Sequence, residues 1–388
     1  MGCLSKASAR GKSFCFVVER TPAIERYVSK SPIGSETPHV PHFSAAFTDG
    51  NRTFSTQRTS RQVGSFFAIF QPNFTQILGL RRTAPITILL PKFPSSRTLQ
   101  PPITMEKRCL IYAHWDINGF VDPYVIHALR QYRLSVDRIV FITTNYQLRS
   151  RDLEDVVDEV VVRENSGFDF QSWRQGLELV GAETFDEIVF ANSSVYGPAW
   201  PFERVLNSPI TRNGGVWGMT ISRQHALHLQ SYFMTMSREF LISDAGKELW
   251  ADVVPLPRKA DVIEAYELQW MGKCVAAGVP IESLFDCRQF PTVSLAEQLA
   301  NTVRWPPRMS QVRRYRKAVR RGPSNPTHLQ WKQMLECGVP FVKVDLFSCN
   351  PYGIRLSRVY DWLEEHTNYP TDLIRNHQTR LRRQPAAA

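Results

Sequence analysis

Apolar and polar positions follow two different regimes along the chain, and the change comes near residue 105. From Met105 onward, short apolar runs alternate with segments whose apolar residues recur every three or four positions. Cys109–Ala113 reads as a buried strand that closes in the polar His114-Trp115-Asp116. Val121–Tyr132 places Val121, Tyr124, Val125, Ala128, Leu129 and Tyr132 at helical spacing. Arg138–Thr143, Glu159–Val162 and Asp186–Ala191 read as further strands, and Phe168–Val180 as a helix closed by Gly181. Strands joined through helices imply crossover connections, and hence an α/β fold with a mostly parallel sheet and helices on both faces. The rhythm then changes. Gly215–Ser222 and Leu229–Thr235 read as strands, Arg238–Trp250 and Asp261–Ala277 as helices. From Leu295 the pattern is mainly helical, with the basic run Arg304–Arg321, then Thr327–Cys337, then a last stretch ending near Glu365.

Residues 1–104 show neither periodicity. They are rich in Ser, Thr and Arg, with 13 Lys and Arg against four acids, whereas 105–388 carry 34 against 32. The charge of +11 is therefore mostly a property of the first quarter, and the near-neutral remainder gives little reason to expect a nucleic-acid partner. Three readings of 1–104 compete: a transit segment, a disordered tail, or an extension upstream of a true start at Met105. Met105-Glu106-Lys107-Arg108 directly before a clean strand favours the last. The expected organisation is thus a disordered segment or upstream extension over 1–104, an α/β body over 105–290, and a helical region over 291–388 with the basic segment 304–321. No apolar stretch reaches the roughly 18 residues of a membrane span. Seven cysteines without a Cys-x-x-Cys pair argue against a zinc ribbon or disulfide framework and fit a reducing compartment.

Polar residues gather where the strands end: His114 and Asp116 after the first, Asn165 and Asp169 after the third, Asn192-Ser193-Ser194 after the fourth. In an open α/β sheet the carboxyl ends of the strands line the ligand crevice, so the gathering points to a site, although each residue alone is also an ordinary turn or cap residue. No Gly-x-Gly-x-x-Gly, Walker loop, Gly-x-Ser-x-Gly or His-Glu-x-x-His is present, which disfavours dinucleotide, P-loop, α/β-hydrolase and zincin chemistry.

Five linked motifs resemble the rhamnan synthesis F family of bacterial glycosyltransferases. They are Asn165-Ser166-Gly167-Phe168-Asp169-Phe170 with Trp173 and Gly176-Leu177; the run from Asp186 through Asn192-Ser193-Ser194 and Tyr196 to Pro198; Trp217-Gly218-Met219-Thr220; His228-Leu229-Gln230-Ser231-Tyr232-Phe233; and Asn325-Pro326-Thr327 with Trp331 and Pro340-Phe341-Val342-Lys343. The resemblance covers roughly Arg108 to Tyr352. It implies a GT-A-like sheet and transfer of a sugar, with dTDP-rhamnose as the namesake donor, to a polyprenyl-diphosphate-linked glycan at the cytoplasmic face of the membrane, in surface polysaccharide or O-antigen assembly. Donor contacts are expected from His114, Asp116, Asn165, Gly167, Asp169, Asn192, Ser193, Ser194 and Tyr196, and acceptor contacts from Trp217, Gln230 and Ser231. The family commonly has Asn-Asp-Ser where this chain has Asn192-Ser193-Ser194. The expected Mg²⁺ or Mn²⁺ across the donor diphosphate therefore loses a carboxylate, which leaves Asp169 or Asp116 as ligand, or basic side chains in its place.

Transfer with inversion needs a group to take the acceptor's proton, and Glu267, Glu264, His228 and Asp244 are the candidates. Glu264 and Glu267, three apart on one expected helix, should share a face. The tryptophans Trp173, Trp200, Trp217, Trp250 and Trp270 are candidates to stack on sugar, with core packing the plainer alternative. The basic run 304–321 fits a peripheral contact with anionic lipid or the lipid diphosphate. The alternative to an enzyme is a non-catalytic glycan- or nucleotide-binding member of the same fold, for which Ser193 is the chief argument.

Overall fold

The computed structural model describes residues 107–146, 148, 153–206, 215–289, 293, 309–321 and 325–383, together with three short strands, β1 (Ala7–Ala9), β2 (Lys12–Phe14) and β3 (Val17–Val18). The rest of the 1–104 segment, and 304–308 of the basic run, lie outside the described residues.

The strands after residue 105 are β4 (Arg108–His114), β5 (Arg138–Thr143), β6 (Glu159–Val162), β7 (Glu187–Asn192), β8 (Val195–Tyr196), β9 (Val216–Ser222), β10 (His228–Leu229), β11 (Phe233–Ser237), β12 (Ile281–Asp286) and β13 (Val342–Lys343). Nine of the described strands form one sheet in the order β10-β9-β11-β7-β4-β5-β6-β3, with β12 also on β9. β7, β4, β5, β6 and β3 run parallel, and β11 is antiparallel to both β7 and β9. The parallel strands therefore end together, at His114, Thr143, Val162 and Asn192, beside the residue that opens β11, since Phe233 pairs with Ala191. This is the α/β, mostly parallel sheet the sequence implies, followed by a helical C-terminal region.

Strand periodicity sorts the core into two layers. Leu110, Tyr112, Phe141 and Val189 pack on one face with helix α1 (Pro123–Arg133) and the C-terminal helices. Ile111, Val140, Ile142 and Phe190 pack on the other with α2 (Phe168–Val180) and the helices after β11. Helix α2 lies so close that a Cβ on Gly176 would stand 2.3 Å from Ile111 Cγ2. The helical region shares the first layer: Trp331, Leu346, Val359 and Ile374 belong to the same buried cluster as Tyr112. Its described helices are α8 (Met309–Arg321), α9 (Pro326–Leu329), α10 (Trp331–Glu336), α11 (Val344–Ser348), α12 (Leu356–His366) and α13 (Asp372–Arg383).

The elements depart from expectation at several places. The strand expected over 229–235 is two strands separated by Gln230-Ser231-Tyr232, which puts Gln230 and Ser231 in a turn at the sheet's edge. The helix expected over 238–250 breaks into α4 (Arg238–Ile242) and α5 (Asp244–Ala251), because Ser243 caps a new start by accepting from the Gly246 amide at 3.2 Å. The helix expected over 261–277 runs from α6 (Lys259–Val262) to α7 (Leu268–Ala276) through a π-turn at Ile263–Glu267. Strand β12 lies where the sequence pattern predicts none; its parallel pairing to β9, not its own alternation, places it. A short α3 (Glu203–Leu206) completes the set.

Candidate active site

A cavity of about 620 Å³ opens at the shared carboxyl end of the parallel strands. It collects residues far apart in the chain: Asp116 after β4, Asp169 on α2, Asn192, Ser193 and Ser194 after β7, His228, Gln230 and Ser231 around β10, and Glu267 in the π-turn. Lys259, Asn325 and Lys343, none of them a site candidate from the sequence, also line it. Lys343 does end one of the motifs quoted above, and that is the signal by which it could have been found.

The strand-end residues form a continuous relay. Lys343 Nζ donates to Ser194 Oγ at 2.8 Å, Ser194 Oγ donates to Asn192 Oδ1 at 2.5 Å, and Asn192 Nδ2 donates to Asp169 Oδ2 at 2.9 Å. Lys343 reaches Ser194 because β13 pairs antiparallel with β8, setting Lys343 opposite Val195. Burial pushes the Asp169 carboxyl above its usual range, against the pull of Lys259, Lys343 and the Asn192 hydrogen bond. Burial likewise lowers Lys343, against Asp345, Glu267 and Asp169. Two lysines and two carboxylates thus face one another across a partly desolvated space.

In the same cavity His228 Nδ1 lies 2.9 Å from the Ala226 carbonyl. A carbonyl only accepts, so Nδ1 carries the proton and Nε2 faces Glu267 Oε1, 3.9 Å away. Glu267 Oε1 also accepts from the Ser231 amide at 3.3 Å. The π-turn explains why Glu264 does not join it: the wider turn rotates positions three apart onto different faces, and Glu264 is exposed. Two non-glycine residues in left-handed backbone, Phe168 (φ 54°) and His225 (φ 67°), also line the cavity. Such conformations concentrate at functional sites.

Several sequence candidates stand elsewhere. Asp244 is exposed in the first turn of α5. Trp217 is buried, and its indole donates to Glu187 at 2.7 Å; Glu187 opens β7, at the opposite end of the sheet from the cavity. Tyr196 is buried, donating to His377 Nδ1 at 2.6 Å while accepting from Gln378 Nε2 at 2.7 Å. Asn165 is exposed in the loop before α2. Gly167 caps α2 with φ 72°, and a Cβ there would stand 2.9 Å from Pro255 Cα. Trp173, Trp250 and Trp270 are buried, the last two edge to face at 4.8 Å.

His114 is also buried, below the cavity: Nε2–H donates to the Phe120 carbonyl at 3.1 Å and Nδ1 accepts from Thr143 Oγ1 at 2.9 Å. Burial lowers its pKa from 6.5 to about 4. Below pH 6.5 an unfolded chain protonates this imidazole while the folded one does not, so its stabilising share is lost as pH falls from 6.5 towards 4. Comparing urea midpoints at pH 7 and about 4.5, wild type should lose roughly 2 kcal/mol more than His114→Gln. Equal losses would show that His114 does not carry this pH dependence.

Asp116 is committed to a different task. Among the described residues, the acidic or histidine group whose ligating atoms converge within 4.8 Å is Asp116, Asp122 and His377. Its centre is taken by Arg380, whose guanidinium donates to both carboxylates, Nε reaching Asp122 Oδ1 at 2.9 Å. Asp116 Oδ1 also accepts from the Asn118 and Phe120 amides at 2.9 and 3.1 Å. Burial alone would raise the Asp116 pKa, but Arg380 and the two amides hold it below the ordinary range. A resident cation thus fills the group, and its role is to pin α13 to the loop after β4.

The family model described as Rhamnan synthesis protein F matches residues 139–302. A virulence protein, VirA, of Vibrio anguillarum is 29% identical over 213 residues, 53% of this chain and 67% of that protein. Among solved structures, a Pyrobaculum calidifontis mannosyltransferase in complex with GDP-Man and Mn²⁺ aligns at TM-score 0.32 and 13% identity, over 72% of this chain and 81% of that one. Glucosyl-3-phosphoglycerate synthase of Mycobacterium tuberculosis, in complex with Mn²⁺, UDP and glucosyl-3-phosphoglycerate, aligns at TM-score 0.28 and 13% identity, over 47% and 88%. The family model thus spans Asp169, Asn192, Ser193, Ser194 and Glu267, whereas Asp116 and Lys343 lie outside the matched residues.

Proposed function

We propose that this protein is a glycosyltransferase that moves a sugar from a nucleotide-sugar donor to a hydroxyl of a glycan acceptor. The observation that carries the reading is the convergence, in one cavity at the strand ends, of two lysines with a carboxylate–imidazole pair. Lys343 and Lys259 suit the donor's diphosphate, whose charge grows as the bond to the anomeric carbon breaks. Glu267 takes the proton of the attacking acceptor hydroxyl, and the hydroxyl oxygen forms the new glycosidic bond on the opposite face of the sugar, with inversion. Trp115, half exposed at the rim, offers a flat surface for the base or a sugar ring.

The strand ends do not fit a divalent ion held by protein carboxylates. Ser193 contributes a hydroxyl, bonded to Trp115, and Asp169 feels Lys259 and Lys343. We therefore assign the leaving-group role to the lysines. The same family resemblance favours dTDP-rhamnose as donor and a polyprenyl-diphosphate-linked glycan as acceptor, used at the cytoplasmic face of the membrane. The exposed Arg313, Arg314, Arg316, Lys317 and Arg320 of α8 suit an anionic lipid surface, and no described helix is long and apolar enough to cross a membrane.

The test is the thermal midpoint of the full chain with dTDP, UDP and GDP, each with Mn²⁺ or with EDTA. One nucleotide at about a hundred times its dissociation constant should raise the midpoint by roughly 5 °C, about equally in EDTA. No response to any nucleotide would sink the transferase reading, and a response that EDTA abolishes would return the leaving-group role to a metal. Ser193 favours a second reading, a non-catalytic binder of the same fold; binding without any release of nucleoside diphosphate would select it.

A further inference from the structure

We infer that the loops after β4 and β5 dock the protein on an anionic lipid bilayer through Ile117, Phe120 and Tyr146. This surface is separate from α8, and the inference stands whether or not the transferase reading does.

Large apolar side chains left in water gather on these loops. Trp115, Ile117 and Phe120 are 50%, 55% and 57% exposed, and Tyr146 is 57% exposed. Among the described residues, the exposed aromatic side chains are Trp115, Phe120 and Tyr146, and all three stand on the loops that follow β4 and β5. The two loops form one surface, because Asn145 Nδ2 donates to the Gly119 carbonyl. The first loop is also pinned. Asp116 Oδ1 accepts from the Asn118 and Phe120 amides, the Gly119 amide donates to the Asp116 carbonyl at 3.0 Å, and His114 Nε2 donates to the Phe120 carbonyl. A backbone held at so many points keeps the side chains outside, and an exposed apolar group of this size marks a contact surface.

The surrounding charge selects the partner. The Arg380 guanidinium lies over the Phe120 ring, 5.2 Å from its centroid. Arg383, three residues on, shares that face of α13, and Arg382 stands beside it. Both are exposed, and among the described residues neither has a carboxylate partner. The acid within the loop, Asp116, is already matched by Arg380. Apolar and aromatic side chains fringed by unpaired arginines complement a bilayer, which is apolar inside and anionic at its headgroups, where Trp and Tyr rings settle. Trp115 and Ile117 also line the active-site cavity, so a bilayer on this surface lies against the cavity rim. A substrate carried in lipid would reach the cavity without leaving the membrane.

The test is co-sedimentation of the full chain with phosphatidylcholine vesicles, with and without phosphatidylglycerol. Wild type should bind the vesicles containing phosphatidylglycerol more tightly. Phe120→Ser combined with Tyr146→Ser should lower its partition coefficient on them about tenfold or more. Arg382→Gln combined with Arg383→Gln should narrow the difference between the two lipids. If the serine pair does not fold, Tyr146→Ser alone should still lower binding about threefold or more. Wild type leaving both kinds of vesicle unbound would overturn the inference. So would serine variants that bind as wild type does, which would hand any membrane contact to α8. Serine variants that keep vesicle binding but lose self-association in sedimentation velocity would assign the patch to a second copy of the chain instead. None of these outcomes bears on the nucleotide test above.

Discussion

Replacing Glu267 by Gln is expected to slow sugar transfer by about 10²- to 10⁴-fold while leaving the nucleotide-induced rise in thermal midpoint unchanged. The substitution keeps the shape of the side chain and an oxygen that can still accept from the Ser231 amide. What it removes is the capacity to take a proton. Glu267 is placed for that work by three independent features: the π-turn that aims it into the cavity, the Ser231 amide that holds Oε1, and His228 Nε2 at 3.9 Å. Glu264→Gln is the control. Glu264 is exposed on another face of the same turn, so its replacement should leave the rate within a factor of about two. A Glu267→Gln enzyme keeping a tenth of the wild-type rate or more would show that another group accepts the proton, and His228 would be the next to test.

Arg380→Met is expected to cost about 3–5 kcal/mol of folding stability, or roughly 6–9 °C in the thermal midpoint. Both carboxylates that Arg380 bridges, Asp116 and Asp122, have side chains only 8% exposed. Removing the guanidinium would leave two buried negative charges beside one another, and the desolvation that Arg380 offsets would become unopposed. The deficit should shrink as pH falls, because protonating Asp116, which Arg380 holds ionised below the ordinary carboxyl range, relieves the repulsion that the mutation creates. A mutant as stable as wild type at pH 7, or a deficit that does not change with pH, would show that the bridge contributes little. Asp116 and His377 both line the cavity, so the bridge also couples the chain's last described helix to the active-site rim. The mutant should accordingly bind nucleotide more weakly than its folded fraction alone accounts for.

Much of the scaffold is legible in the order of residues alone. β4, β5, β6, β7 and α2 lie within a residue or so of where apolar spacing puts them, because strand and helix periodicities are properties of neighbouring residues. The clustering of polar residues after β4 and β7 is legible for the same reason: parallel strands joined by helices must end on one edge. The breaks are harder to see. Nothing in 229–235 marks the turn at Gln230-Ser231-Tyr232, and the spacing of Glu264 and Glu267 is that of a regular helix, although the π-turn separates them.

The chemistry within the cavity depends on tertiary structure. His114, Tyr196 and Trp217 are polar or aromatic residues within the quoted motifs or strand ends, yet each is engaged by buried partners, and only packing distinguishes such a strut from a ligand contact. Lys343 meets Ser194 across 149 positions, and Arg380 meets Asp116 across 264. The sequence by itself therefore determined the sheet, the edge on which a site must lie, and the family its motifs resemble. Only the folded chain decided which lysines face the carboxylates and which Asp is already neutralised by an arginine. The reason is physical: periodicity is set by local backbone geometry, whereas the partner of a buried charge is chosen by whichever complementary group the packed core brings within hydrogen-bonding reach.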